Sequence, residues 1–519
     1  MTPRLRLTAA LLSGISLAFA FAPYDIGLLA WVSLALLIGA AVGVGPGRGF
    51  LYGWIHGLAF FASSLPWIYT VMHVHGGMDA PLAAAVFVLL IAVLSLCPGL
   101  FAAGVAWCGR RSVARACLAA PFLWVGSELI RRYELGLGFP WNLLGYAGAM
   151  HLGLLQLATI TGIYGLSFVL AGANALLAWV LLTRTRTAWL GGIVAAALIV
   201  SAVLVGDQFV PLERPDYEAV LVQTNFPQST SYPADWLDAH NAELNELETI
   251  STEAAHRTRG VVIWPECPAP FYWQDPRFTA RLSRLALTLA NNVIAGVVDW
   301  KPGPKGALEP YNSAVMVDPA GHRVFSYDKI ELVPFGEFVP WRRWLTFANT
   351  ITAEVGDFRR GSEFSVGQLP GGSFSVFICY EAVIPDEIRR FVKNGARLLI
   401  NLSNDGWFGR SAALEQHLAQ ARVRAVENRR WILRATNTGF TVSIGPYGRI
   451  EAALPPGRRA ALIAPYGFRD DITFYTRFGD WLAWLSCVVS LWFLVYSAPE
   501  PDEEEEDEIP IPAGEPVAS

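Results

Sequence analysis

Seven long apolar runs in the first 207 residues constrain this chain more than any other feature: 7–22, 26–44, 51–69, 82–107, 116–130, 157–182 and 189–206. A helix needs about 20 apolar residues to cross a bilayer, and no single soluble core could absorb so many such segments. An eighth run, 481–496, precedes an acidic tail. The reading is a multi-pass bundle of about eight transmembrane helices, with the short run 116–130 and the semi-polar stretch 143–156 as its weakest boundaries. Composition agrees, because 16% of residues are charged against roughly 25% in soluble domains.

Arginine placement sets the expected orientation, since cytoplasmic loops carry the Lys/Arg excess. With a cytoplasmic N-terminus, Arg4, Arg6, Arg48, Arg110, Arg111, Arg115, Arg184 and Arg186 all lie inside, and Arg131 and Arg132 lie outside. An even number of spans returns the C-terminus to the cytoplasm and exports the block between spans seven and eight. The expected divisions are 1–209 for the first seven helices, 210–478 for an exported domain, 479–497 for the last helix and 498–519 for a disordered acidic tail. The first run reads as an uncleaved helix, because no convincing small-residue cleavage site stands before Ala22-Pro23 and another span begins at once. A transporter keeps ionisable groups within its spans; here only Glu128, His56, His73, His75 and His151 are available. A net charge of −5 leaves no basic surface for nucleic acid.

Beyond residue 216 short β-rich runs alternate with amphipathic stretches, as in a layered α/β domain. Strands are expected at 218–223, 260–264, 292–298, 313–318, 373–379, 396–402, 432–436 and 440–444, and helices at 234–257, 276–290, 383–394 and 411–429. Turns are expected at 319–321 and 445–448.

Three of these segments end in groups that can carry chemistry. The run 261–264 leads through Pro265 to Glu266, a carboxylate beside a Trp and a core strand, which suits a general base. The run 374–378 delivers Cys379 and then Tyr380 and Glu381 into a turn. Between them stands Lys329, and of 39 basic residues only four are lysines, at 301, 305, 329 and 393. A chain that meets its other needs for positive charge with arginine keeps a lysine here. A thiol nucleophile, a carboxylate to take its proton and an ammonium to hold an oxyanion form an acyl-transfer set.

In order and motif this set resembles the nitrilase (carbon–nitrogen hydrolase) superfamily. The segments WPE (264–266), YDKxxLVPFGEFVP (327–340), ICYE (378–381) and SNDGWFG (403–409), with seven leading spans and one trailing span, resemble the apolipoprotein N-acyltransferase family, the last enzymes of bacterial lipoprotein maturation. The resemblance reaches to about residue 497 and implies an exported αββα sandwich. It implies Glu266 as base, Lys329 as oxyanion stabiliser and Cys379 as nucleophile, with Glu337, Glu381, Tyr380 and Asn312 matching further positions near the site. Trp407 and Phe408 would line an acyl pocket or touch the membrane. The implied donor is a phospholipid, and the acceptor is the α-amine of an S-diacylglyceryl-cysteine apolipoprotein. Transfer would be ping-pong through a thioester, without metal or organic cofactor, at the bacterial inner membrane with the catalytic domain periplasmic. One departure is visible: the family's Lys-Trp pair beyond Gln228 is replaced by Ser231-Tyr232, with Trp236 following, so either aromatic is a candidate for the gating role. The segment 334–361, rich in aromatics, glycine and paired arginines, is expected to be a mobile lid. A membrane-tethered amidase is the rival reading on the same triad. Cys267, beside the base, is not expected to pair with Cys379.

Overall fold

The computed structural model describes residues 1–133, 138–229, 232–303, 306–338 and 358–497. The acidic tail and most of the expected lid, residues 339–357, lie outside the described residues, as does Ser231.

Every leading apolar run is helical, because a segment without polar side chains must satisfy its own backbone. The runs are nevertheless not seven uniform spans. Among the described residues four helices are long and apolar enough to cross a bilayer: Ala80–Gly109, Val113–Tyr133, Ile163–Thr183 and Arg186–Phe209. A fifth is obtained if Pro46–Ser64 and Trp67–His75, bent by 57°, form one span. Gly27–Ala41, Leu152–Thr161 and Trp481–Val495 are shorter apolar helices, and Pro3–Ala18 has 16 residues. Local geometry causes the breaks. Pro66 sits at the bend after Ser64, where it lacks the N–H that would continue the ladder. Gly162 adopts φ +63° between two helices, and a Cβ there would stand 2.4 Å from the Tyr475 ring. Leu190, Ile193, Val194 and Leu198 on Arg186–Phe209 are exposed from the protein, as expected of a surface solvated by lipid.

The second half contains two six-stranded mixed sheets, ordered β12-β1-β2-β3-β4-β5 and β11-β10-β9-β8-β7-β6. The strands are β1 Tyr217–Gln223, β2 Val262–Ile263, β3 Val293–Pro302, β4 Leu308–Val317, β5 Arg323–Asp328, β6 Gly367–Leu369, β7 Gly372–Ile378, β8 Leu398–Ser403, β9 Ile432–Thr436, β10 Thr441–Ile444, β11 Ile450–Leu454 and β12 Ala460–Tyr466. Alternation along β1 sends Val220 and Val222 outward to Leu244, Leu247, Phe278 and Leu282 on the helices Asn241–Thr258 and Pro276–Leu289. Ala219 and Leu221 point the other way, into the core shared with Val376, Ile378, Ile400 and Leu402 of the second sheet. The helices Pro385–Lys393 and Ala413–Asn428 complete four layers, αββα.

Some expectations need correction. The strand expected at 260–264 is only two residues long and ends ahead of Pro265, which has no N–H to donate to a ladder. The helix expected at 234–257 is interrupted at His240. The turns at 319–321 and 445–448 are present, yet β5 and β11, which follow them, were not foreseen, and neither were β6 and β12. β5, β6, β11 and β12 are the outermost strands of their sheets, so they carry fewer buried residues and a weaker apolar pattern.

Tyr380, Val383, Ile384, Ala413, Val423 and Val426 belong to the hydrophobic cluster of the helical half, so the two halves share one core along this seam.

Candidate active site

The chemistry-bearing residues gather where strands of the two sheets end, the usual place for sites in layered α/β folds. Glu266 follows β2, Lys329 follows β5, Cys379 follows β7 and Asn404 follows β8, while Asn312 lies within β4. Lys329 N donates to the Asn312 carbonyl (2.9 Å), which ties the lysine to the neighbouring strand.

Lys329 is the centre of the polar cluster and only 1% exposed. Its Nζ lies 2.9 Å from Glu337 Oε1 and 3.5 Å from Glu266 Oε1. Asn312 Nδ2 donates to both carboxylates, at 2.7 Å to Glu266 and 2.8 Å to Glu337. Asn404 N donates to Glu266 Oε2 (2.6 Å), and Val333 N to Glu337 Oε2 (2.9 Å). Burial works against the lysine's charge, but Glu337, then Glu266 and Cys379, outweigh it and hold the ammonium above the ordinary lysine range. Two carboxylates around one ammonium keep a compact, fixed positive charge in a water-poor site.

Cys379 stands at a sharp turn. It is a non-glycine residue with φ +49°, opening the short 3₁₀ helix Cys379–Val383, a conformation that costs an L-residue on the order of 1 kcal/mol or more. Glu381 holds the turn from inside. Its Oε2 accepts from Ile378 N (2.6 Å), and its Oε1 accepts from Tyr327 Oη (2.6 Å), Ile330 N (2.7 Å) and Glu331 N (3.2 Å). One carboxyl thus staples the turn after β7 to the loop that follows Lys329. Burial pushes it up to about 7 against those hydrogen bonds. Burial, and then the Glu266 carboxylate, push the Cys379 thiol above the ordinary cysteine value, while Lys329 pulls the other way. The resting sulfur is therefore a protonated thiol that ionises only with help.

Two family models match the chain: the apolipoprotein N-acyltransferase N-terminal domain over residues 13–176 and carbon-nitrogen hydrolase over 222–465. An apolipoprotein N-acyltransferase of Geobacter metallireducens is 35% identical over 498 residues, covering 94% of both chains. The chain belongs to the apolipoprotein N-acyltransferase family. A second member, from Methylococcus capsulatus, is 34% identical and covers 91% of this chain and 92% of its own. Among solved structures, an amidase from Nesterenkonia sp. is 18% identical, with a TM-score of 0.37, over 51% of this chain and 94% of its own. The resemblance read from the motifs is borne out over nearly the whole length.

Within this family member the other expected residues are distributed as follows. Tyr380 turns away from the carboxylate cluster, and its Oη donates to the Gly138 carbonyl (3.0 Å) in the helical half. Phe408 packs on Trp67 (5.1 Å) and Trp141 (5.8 Å), also from that half. Trp407 meets His75 edge to face at 6.4 Å. Tyr232 Oη donates to the Pro268 carbonyl (3.0 Å), while Trp236 stacks on His240 at 4.1 Å. Cys267 and Cys379 are both free thiols; Cys267 Sγ donates to the Ala269 carbonyl (2.8 Å), and burial pushes it up to about 12.

Sequence reasoning missed two contributors. Asn404 stands in the quoted SNDGWFG motif, but its contact with Glu266 is a main-chain N–H, which leaves no side-chain signature. Gly296 on β3 is where the Glu266 turn lies directly on the strand: a Cβ there would be 2.6 Å from Glu266 Cα.

Proposed function

We propose that this chain is an integral inner-membrane N-acyltransferase that moves a fatty acyl group from a phospholipid to the α-amine of an S-diacylglyceryl-cysteine apolipoprotein. The observation that carries the reading is the buried Lys329 ammonium held between Glu337 and Glu266, with a thiol in the same electrostatic field. Glu266 takes the Cys379 proton as the sulfur attacks the ester carbonyl. Lys329 and backbone N–H groups stabilise the tetrahedral oxyanion. Its collapse expels the lysophospholipid, whose oxygen receives the proton from Glu266, and leaves a thioester on Cys379. The acceptor amine then attacks the thioester, Glu266 takes the amine proton, and the departing Cys379 sulfur recovers it as the amide forms. Glu337 and Asn312 keep Lys329 and Glu266 apart and oriented.

The proposed topology retains eight spans, the boundaries 1–209, 210–478 and 479–497, a periplasmic catalytic domain and cytoplasmic termini. Three contacts support it. Arg132, one of two arginines assigned to the outer side, pairs with Asp386 (3.3 Å) and Glu331 (3.6 Å) of the catalytic half. At the other end of the same helix, Arg115 lies over Trp492 at 5.7 Å, near the end of Trp481–Val495. Arg6 Nη1 donates to the Ala40 and Val42 carbonyls (2.6 Å each), grouping further ends on the arginine-rich side.

The decisive experiment incubates purified protein with phospholipid alone. One fatty-acyl mass should appear on the Cys379 peptide, labile to hydroxylamine and discharged by a lipidated cysteine peptide. Cys379→Ala should remove adduct and turnover, whereas Cys267→Ala should keep both. Transfer without an adduct under single-turnover conditions would sink the mechanism.

A further inference from the structure

A second polar group lies beneath Cys379, apart from the Lys329 cluster, and the chemistry above assigns it nothing. His417, on the helix Ala413–Asn428, is completely buried. Its Nε2 lies 3.0 Å from the Cys379 carbonyl oxygen. Its Nδ1 lies 3.1 Å from Asp405 Oδ1 and 3.2 Å from Arg434 Nη2. Arg434 in turn donates to Asp405 Oδ2 (2.7 Å) and to Asn401 Oδ1, and Ser403 Oγ donates to Asp405 Oδ1 (2.7 Å). All these side chains are shut off from solvent.

The proton positions follow from donor chemistry. A carbonyl oxygen only accepts and a guanidinium only donates. Nε2 therefore carries hydrogen towards Cys379 in every case, while Nδ1 accepts from Arg434 in the neutral ring and would donate to Asp405 Oδ1 in the doubly protonated one. Burial, and then Arg434, hold the imidazole below its usual value while Asp405 pulls the other way, consistent with a neutral ring whose hydrogen is on Nε2.

The held carbonyl belongs to the peptide that joins Cys379 to Tyr380. That unit is planar and trans, so the Tyr380 N–H points opposite to the carbonyl. Fixing the carbonyl on His417 therefore fixes the direction of this N–H, away from His417, and the orientation of the left-handed residue that bears the thiol. The helix carrying His417 is also clamped through the adjacent Gln416. That carboxamide accepts from Trp67 Nε1 (3.3 Å) and Trp141 Nε1 (2.8 Å) and donates to the carbonyls of Ala22 (3.1 Å) and Ser64 (3.2 Å). The Trp141 ring also lies 5.6 Å from the His417 ring.

We infer that His417 is a positioning residue that, backed by Asp405 and Arg434, locks the Cys379–Tyr380 peptide so that the thiol and the Tyr380 N–H are set for attack and for the oxyanion. This rests on Cys379 being the nucleophile. The test measures single-turnover acylation of Cys379 from mixed phosphatidylethanolamine and phosphatidylglycerol vesicles by full-length parent, His417→Met and His417→Gln. His417→Met should acylate about tenfold more slowly, the rate equivalent of one net hydrogen bond, with an unchanged half-saturating phospholipid concentration. His417→Gln, whose amide N–H reaches where Nε2–H stood, should recover most of the rate. If His417→Met does not fold, His417→Asn, polar but too short to reach the carbonyl, takes its place. Parental speed in His417→Met, or equal slowing in the Met and Gln variants, overturns the inference. A parent that forms no adduct on Cys379 removes the nucleophile itself and the inference with it, a result distinct from the other two.

Discussion

Gly296→Ala isolates the placement of Glu266 without touching any ionisable group. The added Cβ would stand 2.6 Å from Glu266 Cα, 2.6 Å from the Pro265 oxygen and 2.7 Å from Cys267 N. Non-bonded carbons rest at about 3.5–4.0 Å, so something must retreat by about 1 Å. β3 cannot easily do so, because its whole length, Val293 to Pro302, is paired with β4. The retreat falls on the Glu266 turn and moves its carboxylate relative to Asn404 N and Asn312 Nδ2, now at 2.6 and 2.7 Å. Overpacking of this kind costs about 1–3 kcal/mol in stability, which a folded chain can survive. A displacement of about 1 Å at a reacting group can cost on the order of a hundredfold in rate. The assay pairs single-turnover acylation of Cys379 with the thermal midpoint. Gly172→Ala, where no atom lies within 4 Å of the new Cβ, serves as the control. A folded Gly296→Ala protein acylating at the parental rate would refute both the steric reasoning and the role given to Glu266.

Three further expectations follow from the charges. Lys329→Arg should lose most activity although it keeps the charge, because a planar fork cannot occupy the point between Glu266 and Glu337; Lys393→Arg should be silent, and normal turnover by Lys329→Arg would remove the oxyanion role. Glu381 is raised by burial from 4.5 to about 7, and Glu387 is also raised by burial. A raised folded value means stability fully present below the unfolded value and lost as pH rises through the folded one. The Glu381 shift alone is worth on the order of 3 kcal/mol; buried His417, held low, works in the opposite sense, so the test is the difference from Glu381→Gln, whose thermal midpoint in detergent should rise relative to the parent between about pH 4.5 and 7, and a flat difference would contradict it. Reporter fusions after Arg186 and after Ser497 should report cytoplasm and one near Pro233 the exported side, with a cytoplasmic signal at Pro233 overturning the orientation.

Much of the catalytic half was legible because a strand that ends in a reactive group leaves a local pattern, an apolar run followed by a turn and a carboxylate or thiol. What stayed hidden depends on approach between distant segments. Gly296 looks like any strand glycine until the Glu266 turn is laid on it. The Asn404 contact with Glu266 is main-chain, and His417 reads as an ordinary helix residue until the helix is docked under Cys379. Glu381 was legible as an acid near the nucleophile but not as an inward staple, since its donors Ile330 N and Glu331 N come from the loop after Lys329. The helical half was legible as apolar runs and less so as spans. A sliding window averages over Gly162 and Pro66, yet these single residues decide where helices stop.

The seam between the halves bears on the choice between an acyltransferase and a tethered amidase. An amidase anchored by helices needs nothing from them near its site. Here residues adjacent in sequence to the proposed catalytic groups face the helical half: Tyr380, next to Cys379, bonds the Gly138 carbonyl, and Phe408, four residues after Asn404, packs against both Trp67 and Trp141. Arg132 reaches from the helical half to Glu331, two residues after Lys329. A two-tailed donor makes such intimacy useful, because each CH₂ drawn out of the bilayer costs about 0.8 kcal/mol, so the reacting ester can be reached cheaply only where the acyl chain keeps apolar company. A soluble amide imposes no such cost and would leave these contacts without a purpose.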